Sequence, residues 1–159
     1  MSLGVAAGGG TSVASGLRQG TVASVLTRIG YVFAEQGHLL PGSLEVVGEP
    51  GYLHVWERHD QAELAAFSAL LKYNFRTPTR FTPFVEGGAG VSYATARIPP
   101  TGTLFNFITQ AGAGVQYAVT PAVTIDARGA FHHLSNANTG KQNPSLNTML
   151  FSLGVSWHF

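Results

Sequence analysis

His133 and Ser135 stand two residues apart near the end of an alternating segment, and Asn147 follows twelve residues after Ser135. In an extended strand, residues two apart project from the same face, so this imidazole and this hydroxyl share one side. A histidine so placed can take the serine hydroxyl proton and later return it to a leaving group, which is the chemistry of nucleophilic acyl transfer. If the chain turns back between Asn136 and Ser145, Asn147 returns to the same end on a neighbouring strand. Antiparallel neighbours lie about 5 Å apart, which predicts contact between Asn147 and His133. The plainer alternative is a pair of interfacial residues bonding headgroups or water, and spacing alone leaves both readings open.

The element that carries the pair has a period of two. Val123, Ile125, Ala127, Gly129 and Phe131 lie on the parity of His133 and Ser135, whereas Thr124, Asp126, Arg128, Ala130 and His132 lie on the other. The two polar residues therefore end an otherwise apolar stripe. The same alternation runs through Val25, Thr27, Ile29, Tyr31 and Phe33, and through Ala65, Phe67, Ala69, Leu71, Tyr73 and Phe75. It continues in Phe105, Phe107, Ala111, Ala113, Val115, Tyr117 and Val119, and in Asn147, Met149, Phe151, Leu153, Val155, Trp157 and Phe159. Turn signals at Pro41-Gly42, Arg76-Thr77-Pro78, Pro99 to Gly102 and Thr120-Pro121 divide the chain. Eight strands are predicted near 3–10, 20–34, 42–56, 62–76, 81–97, 104–119, 121–135 and 146–159, the first short and rich in glycine. They are long for a soluble sheet.

Composition narrows the class. The chain has 159 residues, enough for one domain over 1–159, and only 11% are charged against about 25% in ordinary soluble domains. It has no cysteine, which removes disulfides, thiolate zinc sites and cysteine nucleophiles. A net charge of +1 offers no field for nucleic acid. Arg28, Glu45, Glu49, Lys72, Glu86, Asp126 and Arg128 oppose the apolar stripes, on faces otherwise rich in Gly, Ser, Asn and Gln. Aromatic residues collect near strand ends (Tyr31, Phe33, Tyr73, Phe75, Tyr93, Tyr117, Trp157, Phe159), as in the girdles of membrane barrels. The expectation is an all-β, eight-stranded, antiparallel up-and-down transmembrane barrel in an outer membrane. Its interior charges would pair with one another, because eight strands enclose only enough room for side chains. A soluble lipid-carrying barrel, with charges outside and an apolar lumen, is the rival. No secretory signal is recognisable before Arg18, so either such a segment has been removed or the start is truncated.

The remaining candidates are weaker. His38, His54, His59 and His158 lack HxH or HExxH spacing, so no metal site and no cofactor are expected. His132 is read as an interior residue joined to the polar network. Gly87-Gly88-Ala89-Gly90 and Gly112-Ala113-Gly114 lack the Lys-Ser/Thr of a phosphate loop and are read as room for bulky interior neighbours.

Through His133-Leu134-Ser135-Asn136-Ala137, Asn143-Pro144 and the ending Leu153 to Phe159, the chain resembles the lipid A 3-O-deacylase family. Weaker likeness extends through Leu44 to Pro50 and Pro83 to Gly90. The resemblance implies an eight-stranded outer-membrane barrel that hydrolyses the ester-linked acyl chain at the 3-position of lipid A. It implies His133 as general base, Ser135 as nucleophile and an oxyanion pocket near Asn136, with no metal. Two positions depart from the family pattern. Asn147 stands where the spacing puts a glutamate, and Asn138 stands where glycine is common. Asparagine can still orient an imidazole, and it tolerates a left-handed backbone.

The expected function is therefore an outer-membrane serine esterase acting on lipid A or a related lipid. His133, Ser135 and Asn147 form its reactive set, and amides around Asn136 and Asn138 supply its oxyanion donors. The alternative is a structural or adhesive barrel with a degenerate site. Lipopolysaccharide and outer-membrane lipid are the expected partners, nucleic acid is not, and a homodimer is left open.

Overall fold

A computed structural model of the chain describes residues 1–13, 20–36, 41–57, 60–98 and 100–159. Eight strands form a closed barrel in sequence order: β1 (Ser2–Ser12), β2 (Gly20–Gln36), β3 (Gly42–Glu57), β4 (Asp60–Phe75), β5 (Phe81–Ala94), β6 (Phe105–Thr120), β7 (Val123–Ser135) and β8 (Leu146–His158). Every pairing is antiparallel, and β1 closes the ring against β8 from Ser2↔His158 to Ser12↔Thr148. Closure leaves no unpaired sheet edge, which is what lets strands cross hydrocarbon without orphaned backbone groups. His38, His59 and Pro99, named among the sequence candidates, lie outside the described residues.

The first strand is longer than its sequence suggests, and its glycines are what allow it to pair. A Cβ on Gly8 would lie 2.3 Å from the Phe151 carbonyl oxygen, and one on Gly10 would lie 1.8 Å from that of Met149. Only a residue without a side chain permits that approach of β1 to β8. At the other extreme, β5 ends at Ala94 rather than at residue 97. The Thr95 hydroxyl, not a backbone carbonyl, accepts the Glu63 N–H, and the chain then leaves the ladder. Between β2 and β3 the pairing breaks from Leu26↔Gly51 to Ile29↔Gly48, around Pro50, which has no N–H to donate.

The parity of the side chains settles the solvent. Val25, Ile29, Tyr31, Phe67, Leu71, Phe151, Leu153 and Trp157 are exposed on the outer wall. Arg28, Glu45, Glu49, Lys72, Glu86 and Arg128 turn inward, as the sequence pattern predicts. Arg28 binds Glu49 at 2.7 Å and also Glu86, Arg128 bridges the same two carboxylates, and Lys72 reaches Glu45 at 3.1 Å. Gln110 joins the cluster by donating to Glu49 at 3.1 Å and accepting from Arg128 at 2.8 Å. Asp126 accepts from Gln116, Thr124 and Ser156. Three cations thus face three glutamates in the closed interior, and Asp126 is held by neutral donors. A soluble carrier would show the inverse arrangement, and that rival is overturned.

The interior differs from expectation near the β7–β8 connection. There it is filled by an apolar plug of Val22, Leu53, Val55, Leu64, Ile98, Ile108, Leu134, Leu146 and Leu150 instead of a continuing polar network. His132 is interior, as expected, but it sits at the edge of this plug, and its buried Nε2 has no hydrogen-bond partner among the described residues. The glycine reading holds at Gly114, where a Cβ would lie 2.4 Å from the Phe84 ring, but not at Gly88, Gly90 and Gly112, where the nearest atom is a backbone carbonyl oxygen of the paired strand, nor at Gly87, where nothing lies closer than 3.5 Å.

Candidate active site

The plug is what fixes the candidate site. Leu134 lies between His133 and Ser135 in sequence and points into the core, at 8% exposure, as does Leu146 beside Asn147. Because alternate residues of a strand face opposite ways, anchoring Leu134 inside obliges His133 and Ser135 to stand on the outer wall. Both are half-buried there, above exposed Phe131, Ile125 and Phe151.

His133 and Asn147 are direct cross-strand partners, and Asn147 Oδ1 lies 2.7 Å from His133 Nδ1. With the oxygen facing that nitrogen, Nδ1 carries the proton and donates it, which leaves the Nε2 lone pair available as a base. Asn147 is therefore where the sequence places it. Ser135 shares the face of His133, but the two side chains are not hydrogen-bonded to each other in this state. Bonds of this kind commonly tighten only when substrate is bound.

On the other side of β7, Thr109 is paired with His133 and Phe107 with Ser135. The exposed Thr109 was missed in the sequence reading, although a hydroxyl in the apolar stripe of β6 was the signal.

The turn after Ser135 has unusual backbone geometry. Ala137 and Asn138 both have positive φ, 50° and 64°. Asn138 is left-handed, as its sequence position predicts; for Ala137 the conformation costs roughly 1–3 kcal/mol. The expected oxyanion donors here are largely committed elsewhere. Asn136 is 0% exposed, its backbone N–H donates to Asn143 Oδ1 at 3.1 Å, and its Nδ2 donates to the Gln142 carbonyl at 2.7 Å. The Asn138 N–H donates to Asn136 Oδ1 at 3.0 Å. Among the described residues, the Ala137 N–H, the exposed Asn138 side chain and the second Nδ2 hydrogen of Asn136 carry no such bond. Among the described residues no group of three or more His, Cys, Asp or Glu could hold a metal ion.

An eight-stranded barrel that is apolar outside and ion-paired inside is an outer-membrane protein, and this one sets a His–Asn pair and a serine at its lipid-facing edge. The family model of lipid A 3-O-deacylase (PagL) matches residues 42–156, and the chain belongs to that family, whose members are hydrolases of the outer membrane. The fold is similar to the crystal structure of the outer membrane enzyme PagL, with a TM-score of 0.81, 19% identity, and coverage of 95% of this chain and 97% of that one. It is also similar to Neisserial surface protein A (NspA), with a TM-score of 0.67, 20% identity and coverage of 99% and 96%. The N-terminal β-barrel domain of Pseudomonas aeruginosa OprF matches at 0.57 and 19% identity, with coverage of 99% and 97%. No curated protein matches the chain in sequence.

Proposed function

We propose that the protein is a serine esterase that removes an ester-linked acyl chain from lipid A or a closely related lipid at the membrane edge. The observation that carries this reading is the hydrogen bond from His133 to Asn147 on the same outward stripe as Ser135. Ser135 Oγ adds to the ester carbonyl carbon while His133 Nε2 takes its proton. The tetrahedral intermediate then collapses, the acyl–oxygen bond breaks, and the departing alkoxide receives the proton from His133. Water repeats the sequence on the acyl-enzyme and releases the fatty acid. Donors aimed at the oxyanion contribute on the order of 3 kcal/mol each in such reactions.

Orientation supports a lipid substrate. The wall below Ser135 is apolar and exposed, so an acyl ester reaches the hydroxyl from within the leaflet. The longer connections, 95–104 and 136–145, lie at the Ser135 end, whereas 76–80 and 121–122 lie at the other. Outer-membrane barrels carry long loops outside and short turns in the periplasm, which supports a site in the outer leaflet with lipopolysaccharide.

A second reading, a structural barrel with a degenerate site, is favoured by Asn147 itself, since an amide cannot neutralise the imidazolium that forms. A fluorophosphonate probe separates the two. The esterase labels at Ser135, and both Ser135→Ala and excess lipid A suppress the label; a barrel that takes up no probe at Ser135 is structural.

A further inference from the structure

The outer wall carries a second polar patch, on the side of the barrel away from Ser135. Because eight strands close in sequence order, the β3–β4 pair stands opposite the β7–β8 pair. Along β4 the outward parity is apolar from Phe75 to Ala65 and then meets Glu63, an exposed carboxylate. Its direct partner on β3 is His54, whose ring packs on Trp56 with centroids 4.1 Å apart. Tyr52 and Trp56 flank His54 on the outward stripe, and Tyr93, paired with Ala65, adds a third exposed aromatic ring from β5. The Tyr52 hydroxyl interacts with the Glu63 carboxylate. Thr95 holds the strand in place here, its hydroxyl accepting the Glu63 N–H at 3.0 Å and its N–H donating to the Glu63 carbonyl at 2.9 Å. Among the described residues no cation pairs with Glu63.

Glu63 begins the polar part of its stripe just beyond the apolar band, at the barrel end where His133 follows Phe131. Tryptophan and tyrosine collect at headgroup level in membrane proteins, and an acidic side chain on the outer wall is tolerated near that interface. A carboxylate without a cation, ringed by three aromatic side chains, suits one kind of ligand. The electron-rich ring faces and the carboxylate attract the same positive charge, and the carboxylate accepts its N–H groups. We propose that Glu63, Tyr52, Trp56 and Tyr93 bind the headgroup of a lipid that carries a primary ammonium, on the wall opposite Ser135. A lipid fits better than a soluble amine, because the patch runs directly into the exposed Phe67 and Leu71, against which acyl chains pack. The site requires only that the barrel spans a membrane, and it stands apart from the esterase reading.

Trp56 itself reports on the site. The sequence has two tryptophans, so in Trp157→Phe all tryptophan fluorescence comes from Trp56. This barrel is reconstituted in phosphatidylglycerol vesicles that contain phosphatidylethanolamine brominated near the carbonyl ends of its chains, and quenching measures how far that lipid is enriched around Trp56. The expected enrichment is about threefold over its share of the bilayer, the scale of one exposed cation–aromatic contact. It vanishes when the amine is acetylated, which leaves the lipid as anionic as phosphatidylglycerol, and it vanishes in Glu63→Gln. Asp60→Asn removes the same charge from the other parity at the end of β4 and keeps the enrichment, as does excess free ethanolamine in the buffer. Random lipid around Trp56 in the Glu63 protein overturns the site. Enrichment that survives Glu63→Gln, or that Asp60→Asn abolishes equally, overturns the part given to Glu63. Enrichment abolished by free ethanolamine overturns the lipid as ligand in favour of a soluble amine.

Discussion

Asn147 Oδ1 lies 2.7 Å from His133 Nδ1 because the two residues are directly paired across β7 and β8. The strand register, and no loop, sets this contact, so the imidazole is oriented by the β7–β8 ladder itself. The amide oxygen selects the tautomer with a basic Nε2, but it brings no charge to balance the imidazolium.

That difference predicts the behaviour of position 147. Asn147→Leu removes the orienting acceptor and lowers kcat by about 100-fold or more, within the usual range for disabling a general base. Asn147→Glu supplies the missing charge and raises kcat by at least about tenfold, a part of the roughly 10⁴-fold effect known for the acid of a serine triad. Steady-state hydrolysis of a soluble ester by the three proteins checks the order. Equal rates would mean that Asn147 does not act on His133.

The outward wall is predicted to behave as a lipid contact. Leu153 is 66% exposed at mid-strand on β8. Leu153→Arg places a cation in hydrocarbon and destabilises the folded barrel by about 2–4 kcal/mol, whereas the same change on a water-facing wall costs little. Urea unfolding in phospholipid vesicles measures the difference.

The interior cluster predicts a different kind of loss. Glu86 faces both Arg28 and Arg128, so Glu86→Ala leaves two interior guanidinium groups sharing the one carboxylate of Glu49. The expected cost is about 3–5 kcal/mol, since breaking a buried pair leaves an uncompensated charge. The folded form of the variant on an unheated gel, lost at lower denaturant than the native protein, reports it.

The barrel, its strand order and the inward turn of Arg28, Lys72 and Asp126 were legible in the sequence because each follows from a period of two. The cross-strand meeting of His133 with Asn147 was legible for the same reason, once the chain was taken to turn between Asn136 and Ser145. The apolar plug was not. Leu53, Leu64, Leu134 and Leu146 lie on the parity that carries the charges elsewhere, so near the β7–β8 connection both faces of a strand are apolar and alternation loses its meaning. The loop contacts of Asn136 were also hidden, since asparagine in a turn signals only a bend. Which of its groups bond to Asn143, Gln142 and Thr139 depends on how the loop folds back on itself.

The most direct measurement of the central claim is the mass spectrum of lipid A recovered from lipopolysaccharide vesicles that contain the reconstituted barrel. The native protein is predicted to give lipid A lighter by one ester-linked acyl chain, with the matching free fatty acid, while Ser135→Ala in the same folded form gives unchanged lipid. Identical spectra from the two proteins, with or without loss of the chain, would contradict the assignment of Ser135 as the nucleophile.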